Sequence, residues 1–134
     1  MRRFFCSALC VIGLSAAATP SRADFLLDDY EKTAISPEFQ AMLSDAELFY
    51  RAFACGVIPD PTGYINGRAI DLTHAVRGMH NGVPAQVLFA ESLKDAREKG
   101  LAEARNPGTC NDLRRMPEIA ASMMQDMAQI TPRR

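Results

Sequence analysis

Tryptophan is absent from this 134-residue sequence, and histidine occurs only twice. Charge of one sign is missing too: 15 Lys and Arg stand against 16 Asp and Glu. That balance excludes the usual nucleic-acid binder, which carries a clear basic excess. No apolar run reaches the roughly 20 residues that a membrane-spanning helix needs. With eight Gly and eight Pro, neither collagen nor low-complexity disorder fits. The motifs of common enzymes are missing: there is no His-Glu-x-x-His, no Gly-x-Ser-x-Gly, no Walker loop and no dinucleotide fingerprint. No cofactor is therefore expected.

The N-terminus carries what the rest of the chain does not. Arg2 and Arg3 precede a mainly apolar run of 15 residues, Phe4 to Ala18, which Thr19 and Pro20 end. Ser21 and Ala23 then form a small-x-small cleavage site. Residues 1–23 thus read as a cleaved signal peptide, with Asp24 the first mature residue. Arg2-Arg3-Phe4-Phe5 also fits the core of a twin-arginine signal, so the general and the twin-arginine export routes both stay open. Residues 24–134 form one domain, expected to be periplasmic or secreted, with no transmembrane span in the mature form. Removing Arg2, Arg3 and Arg22 but no acidic residue leaves 12 basic and 16 acidic groups, a formal charge of −4.

Cleavage also removes Cys6 and Cys10, leaving Cys55 and Cys110. In an oxidising compartment two cysteines form one bridge by default. No Cys-x-x-Cys is present to suggest a redox role. Closing a loop of 55 positions is worth about 4 kcal/mol on the chain-entropy model.

The mature sequence is patterned for helices. Ser36-Pro37-Glu38 is a helix start. Phe39, Met42, Leu43, Ala46, Phe49, Tyr50 and Phe53 then fill one helical face over about 37–55, and Gly56 stops it. Phe25, Leu26, Leu27 and Tyr30 suggest a short helix before it. Residues 56–67 read as a loop, punctuated by Pro59, Pro61, Gly63 and Gly67. A second helix is expected over about 67–80, ended by Asn81-Gly82. A third opens at Pro84 and runs to about Lys99, with Gly100 a possible stop. Thr109, with Asp112 three positions on, is expected to cap the next turn. Met116, Ile119, Ala120, Met123, Met127 and Ile130 line the last helix. No strand is expected. The fold class is all-α: a small bundle of four or five helices stapled by one disulfide. Cys55 falls off the main stripe and is expected to meet the last helix from the side.

Candidate sites are few. Anchored loops often carry binding residues, which singles out Tyr64, Asn66 and Arg68, with His80 at the following turn. His74 and His80, six positions apart, fall on different helical faces and make no i, i+4 metal clamp. Asp71 could orient His74, and Glu91 pairs with Asp95 at i, i+4, but each fits an ordinary solvated helix face. No catalytic residue and no dedicated metal site are assigned. Met116, Met123, Met124 and Met127 could be core filling, an adaptable partner groove, or thioether ligands for Cu(I).

With Phe53-Ala54-Cys55-Gly56 and Thr109-Cys110-Asn111-Asp112 around its two mature cysteines, the layout resembles two kinds of small exported helical protein. These are the acid-stress periplasmic chaperones and the helical immunity proteins that block type VI secreted amidases. The resemblance covers size, signal, helicity and bridge, and no motif carries individual residues across. It implies a non-enzymatic protein that binds another envelope or secreted protein, immunity- or chaperone-like. The alternatives are periplasmic copper handling through the Met-rich C-terminal helix, and a small envelope enzyme or accessory factor. Thiol titration of the denatured mature protein without reductant is expected to find no free thiol; two would overturn the bridge.

Overall fold

The computed structural model describes residues 27–129. The expected signal peptide, with Phe25, Leu26 and Ile130, lies outside the described residues. Within them the protein is mainly helical, as its patterning predicts. Six helices are present among the described residues, rather than four or five, together with one short hairpin.

Helix α1, Asp29–Ala34, starts at Asp28, whose carboxylate accepts the Glu31 amide at 2.8 Å. Helix α2, Pro37–Ala54, begins as the sequence says: Ser36 Oγ accepts the Phe39 amide and Pro37 occupies the first turn. Its stripe of Phe39, Met42, Ala46, Phe49 and Tyr50 is buried, whereas Phe53 at the end is exposed. The helix stops in a Schellman arrangement. The Val57 amide reaches back to the Ala52 carbonyl and the Gly56 amide to that of Phe53, with Gly56 at φ +73°. That left-handed position is why glycine follows Cys55.

The expected loop over 56–67 is only half a loop. Helix α3 runs over Thr62–Thr73, so the connection is residues 56–61 and the helix ends well before 80. Asp60 displaces the start. Its carboxylate accepts both the Thr62 amide at 2.9 Å and the Thr62 hydroxyl at 2.6 Å, drawing the chain into a helix where Pro and Gly suggested a longer turn. These two bonds, the hydroxyl's first, hold the Asp60 carboxyl below its ordinary range. Asn66-Gly67, a turn signal in isolation, lies within the helix.

Asn81-Gly82 does not end a helix either. It is the turn of a hairpin, β1 Met79–His80 with β2 Val83–Pro84, and both turn residues have positive φ, 48° and 77°. Met79 pairs with Pro84 and His80 with Val83. An Asn-Gly pair suits the twist of a two-residue hairpin turn, and this preference prevails over helix continuation. Gln86 closes the junction by donating to the carbonyls of Thr73 and Val76.

Helix α4, Ala85–Glu103, passes straight through Gly100. Helix α5, Pro107–Arg114, is capped by Asn106, which accepts the Gly108 amide, rather than by Thr109. Pro107 in the first turn sets that earlier start. Helix α6, Pro117–Ala128, follows with Pro117 in its first turn, so Met116 is its boundary residue and not part of its face.

The main packing is α2 against α4. Phe39 meets Phe89 at one end, with ring centroids 5.2 Å apart, and Arg51 pairs with Glu103 at the other, so the two helices run the same way. Helix α3 runs back between them in sequence: its Tyr64 lies on Phe49 and its Arg68 on Asp45. Cys55 and Cys110 form the expected disulfide, with Cα atoms 5.2 Å apart. It joins the end of α2 to α5, not to the last helix, and both cysteines are buried members of the core rather than a lateral clasp. Arg114 donates to the Cys55 carbonyl beside it.

Gly100 is buried where α4 crosses α2. A Cβ there would collide with the Glu47 carbonyl oxygen and crowd Tyr50 Cβ at 3.1 Å. Its role is close approach, not helix termination. Gly100→Ala gains about 1 kcal/mol of helix propensity but overpacks a backbone contact, at the upper end of about 1–3 kcal/mol. A net loss of about 2 kcal/mol is expected in urea unfolding, as a lower midpoint with an unchanged slope. At the same crossing Glu103 and Glu47 both lie against Arg51, and Lys99 also pairs with Glu47. The hydrogen bond between the two carboxyls raises the Glu103 pKa and lowers that of Glu47 from the ordinary 4.5. The Glu103 contribution to stability is complete below 4.5 and fades as pH rises through its elevated folded value. The Glu47 contribution is complete above 4.5 and fades as pH falls through its depressed one. Glu103→Gln cannot ionise, so melting temperatures measured against pH are expected to lose the alkaline-side decline and keep the acid-side one.

Candidate functional site

Two stretches that stand apart in the sequence meet in space. The first turn of α3, with the Pro59-Asp60 lead-in, forms one wall of an open cleft of about 420 Å³, and α6 forms the other with Met124 and Met127. Asp60 fixes the first wall through Thr62, whose hydroxyl also accepts from Tyr50 at 3.1 Å. Tyr64 is held from behind. Its ring stacks on Phe49 with centroids 5.0 Å apart, and the Arg68 guanidinium lies 5.7 Å from the ring centre. Arg68 in turn bonds Asp45 at 2.7 Å.

The three sequence candidates on this segment therefore do not act as one patch. Tyr64 and Arg68 are one turn apart and share a face, with Tyr64 at the cleft and Arg68 committed to α2. Asn66 lies between them in sequence and across the helix in space. It is exposed and borders the groove between α3 and α4, beside Ile70 and Leu93. Had the segment been a loop, the three could have pointed together; the helical register separates them.

The methionines divide as well. Met123 is buried in the core at 3 % exposure, Met116 sits at the boundary of α6, and Met124 is half exposed at 50 %. Met124 and Met127 supply the cleft with two thioethers. Among the lining residues Asp60 is the only charged one, so no nucleophile and base face each other there. The surface is soft, apolar and acidic at one edge.

The histidines have separate fates. His74 is exposed, and its Nδ1 lies 3.0 Å from the Ile70 carbonyl and 3.2 Å from that of Asp71, engaged with main chain and not with the Asp71 carboxylate. His80 is part-buried on the hairpin. Its Nδ1 lies 2.7 Å from Asp28 Oδ2 and 3.2 Å from Glu31 Oε1, and its ring packs against Tyr30. Asp28 is thus doubly used, and the Glu31 amide first and His80 second hold its pKa below the ordinary 3.8. Sequence reasoning found His80 but neither carboxylate. The available signal was the pairing of an Asp in N-cap position with an Asn-Gly hairpin turn, which says nothing about a contact 52 residues away. No helix among the described residues is long and apolar enough to cross a membrane. Compared with protein-family models, curated proteins and solved structures, this chain matches none.

Proposed function

We propose that this protein is an exported, non-enzymatic binding module that engages another envelope or secreted protein through the cleft between α3 and α6. The observation that supports this reading best is the half-exposed Met124, set with Met127 opposite a Tyr64 that Phe49 and Arg68 hold in place. Flexible thioethers beside a braced aromatic ring give an apolar surface that adapts to a partner without reshaping the fold. The disulfide supports the arrangement by anchoring α5, and through it the entry into α6, to the end of α2. An acidic edge at Asp60 favours a partner with a basic rim.

A photo-crosslinking residue at position 124 is expected to trap one specific protein in the exporting cell. The same residue at Val87, exposed at the start of α4, is expected to trap none. Met124→Glu should weaken the purified complex about tenfold or more, the range of a central apolar contact. Identical crosslinks from both positions, or an unchanged affinity, would overturn the reading.

A second reading rests on the same two thioethers. Met124 and Met127 share the cleft, which is compatible with soft Cu(I) ligation in copper handling. Met124→Leu and Met127→Leu variants separate the two, since leucine preserves apolar docking and removes the sulfur donors.

A further inference from the structure

The hairpin and α1 bring together three groups that the cleft does not use. Asp28, Glu31 and His80 place one carboxylate oxygen each and the imidazole Nδ1 within 4.8 Å of one another, all part-buried. One ring nitrogen carries one proton and makes one good hydrogen bond. Here two carboxylates face the same nitrogen, at 2.7 and 3.2 Å. Among the described residues no Lys or Arg pairs with either of them. The group therefore carries a formal charge of −2 with a neutral ring and −1 with a protonated one, in a site sheltered by Tyr30. An ion pair accounts for one of these carboxylates and leaves the second uncompensated.

The donors are also oriented before any ion arrives. Asp28 Oδ1 is tied to the Glu31 amide, which turns Oδ2 toward His80. Glu31 is three residues further along the same first turn. His80 is fixed by its strand pairing with Val83 and by the Tyr30 ring, whose centroid is 4.8 Å away. Behind the ring, the Asn81 side-chain amide lies 3.2 Å from Nε2. The amide nitrogen faces Nε2 as placed; with the amide turned, its oxygen accepts a hydrogen bond from Nε2–H, which leaves Nδ1 with its lone pair free to ligate. Ligating histidines have such a partner on their second nitrogen as a rule.

We infer that Asp28, Glu31 and His80 form a binding site for a divalent first-row transition cation of the Zn²⁺ type. Two carboxylate oxygens and one imidazole suit such a borderline ion, with metal–ligand distances of about 2.0–2.2 Å. The Nδ1–Oδ2 separation must widen by roughly half an ångström to admit the ion between them, a change within side-chain rotation. Three protein donors leave a fourth position for water or a donor from a partner. The ion would bridge α1 to the hairpin, and its binding would stabilise the fold by mass action.

Titration of the chelator-treated, folded protein with Zn²⁺ tests this by calorimetry, with histidine-selective ¹⁵N NMR on the same sample. One ion is expected to bind more tightly than about 10 µM, raising the melting temperature and moving the Nδ1 signal of His80 while that of His74 stays in place. Asp28→Asn, which still caps α1, and Glu31→Gln are each expected to weaken binding about tenfold or more. Glu98→Gln, on an exposed face of α4, is expected to leave it unchanged. Binding no tighter than millimolar, an unmoved His80 signal, or equal affinity in all variants would overturn the inference. The NMR result on the unsubstituted protein decides it even if a variant fails to fold.

Discussion

The close crossing of α2 and α4 at Gly100 is the constraint on which the rest of the structure depends. Without a side chain there, the α4 backbone lies on the Glu47 carbonyl, and the stripe of α2 can bury Phe39 against Phe89 at one end and Tyr50 at the other. Because the two helices run in parallel, the chain between them must travel back. Helix α3 provides the return and the hairpin provides the second reversal. The cleft and the His80 cluster are both products of that return path. One lies where α3 begins, the other where the hairpin turns toward α4.

The carboxyl pair at the same crossing shows how little room is left there. Glu47 and Glu103 both pair with Arg51, and Lys99 pairs with Glu47 as well. The crossing combines a backbone contact, which sets the distance between the helices, with a charge cluster whose balance varies with pH.

Much of the fold was legible because it depends on local chemistry. The Ser36-Pro37 start, the Gly56 stop and the periodic stripe of α2 need no long-range information, and the two cysteines of residues 24–134 have one bridge available to them. The misread elements are those in which a distant or competing group decides. Gly63 and Gly67 looked like loop residues until Asp60 captured Thr62 and started a helix beneath them. Gly100 looked like a stop because its real partner is a carbonyl 53 positions earlier. Asn81-Gly82 is ambiguous on its own, being able to close a helix or turn a hairpin, and the flanking pairs are too short to show alternation. The candidate site was legible only in parts. Tyr64 and the methionines stood out singly, but their meeting across the cleft depends on the position of α6, and Asp28 and Glu31 carried no sign of His80.

The Cys55–Cys110 bridge turns residues 55–110 into a covalent ring. Helix α3, the hairpin and all of α4 lie within it, while α1 with all of α2, and α6, hang from its two ends. A protease that cuts the exposed Asn81-Gly82 turn would open the ring without releasing a fragment. Both pieces would stay joined through sulfur, and the buried faces of α2 and α4 would stay neighbours. At this exposed turn a single cut separates nothing.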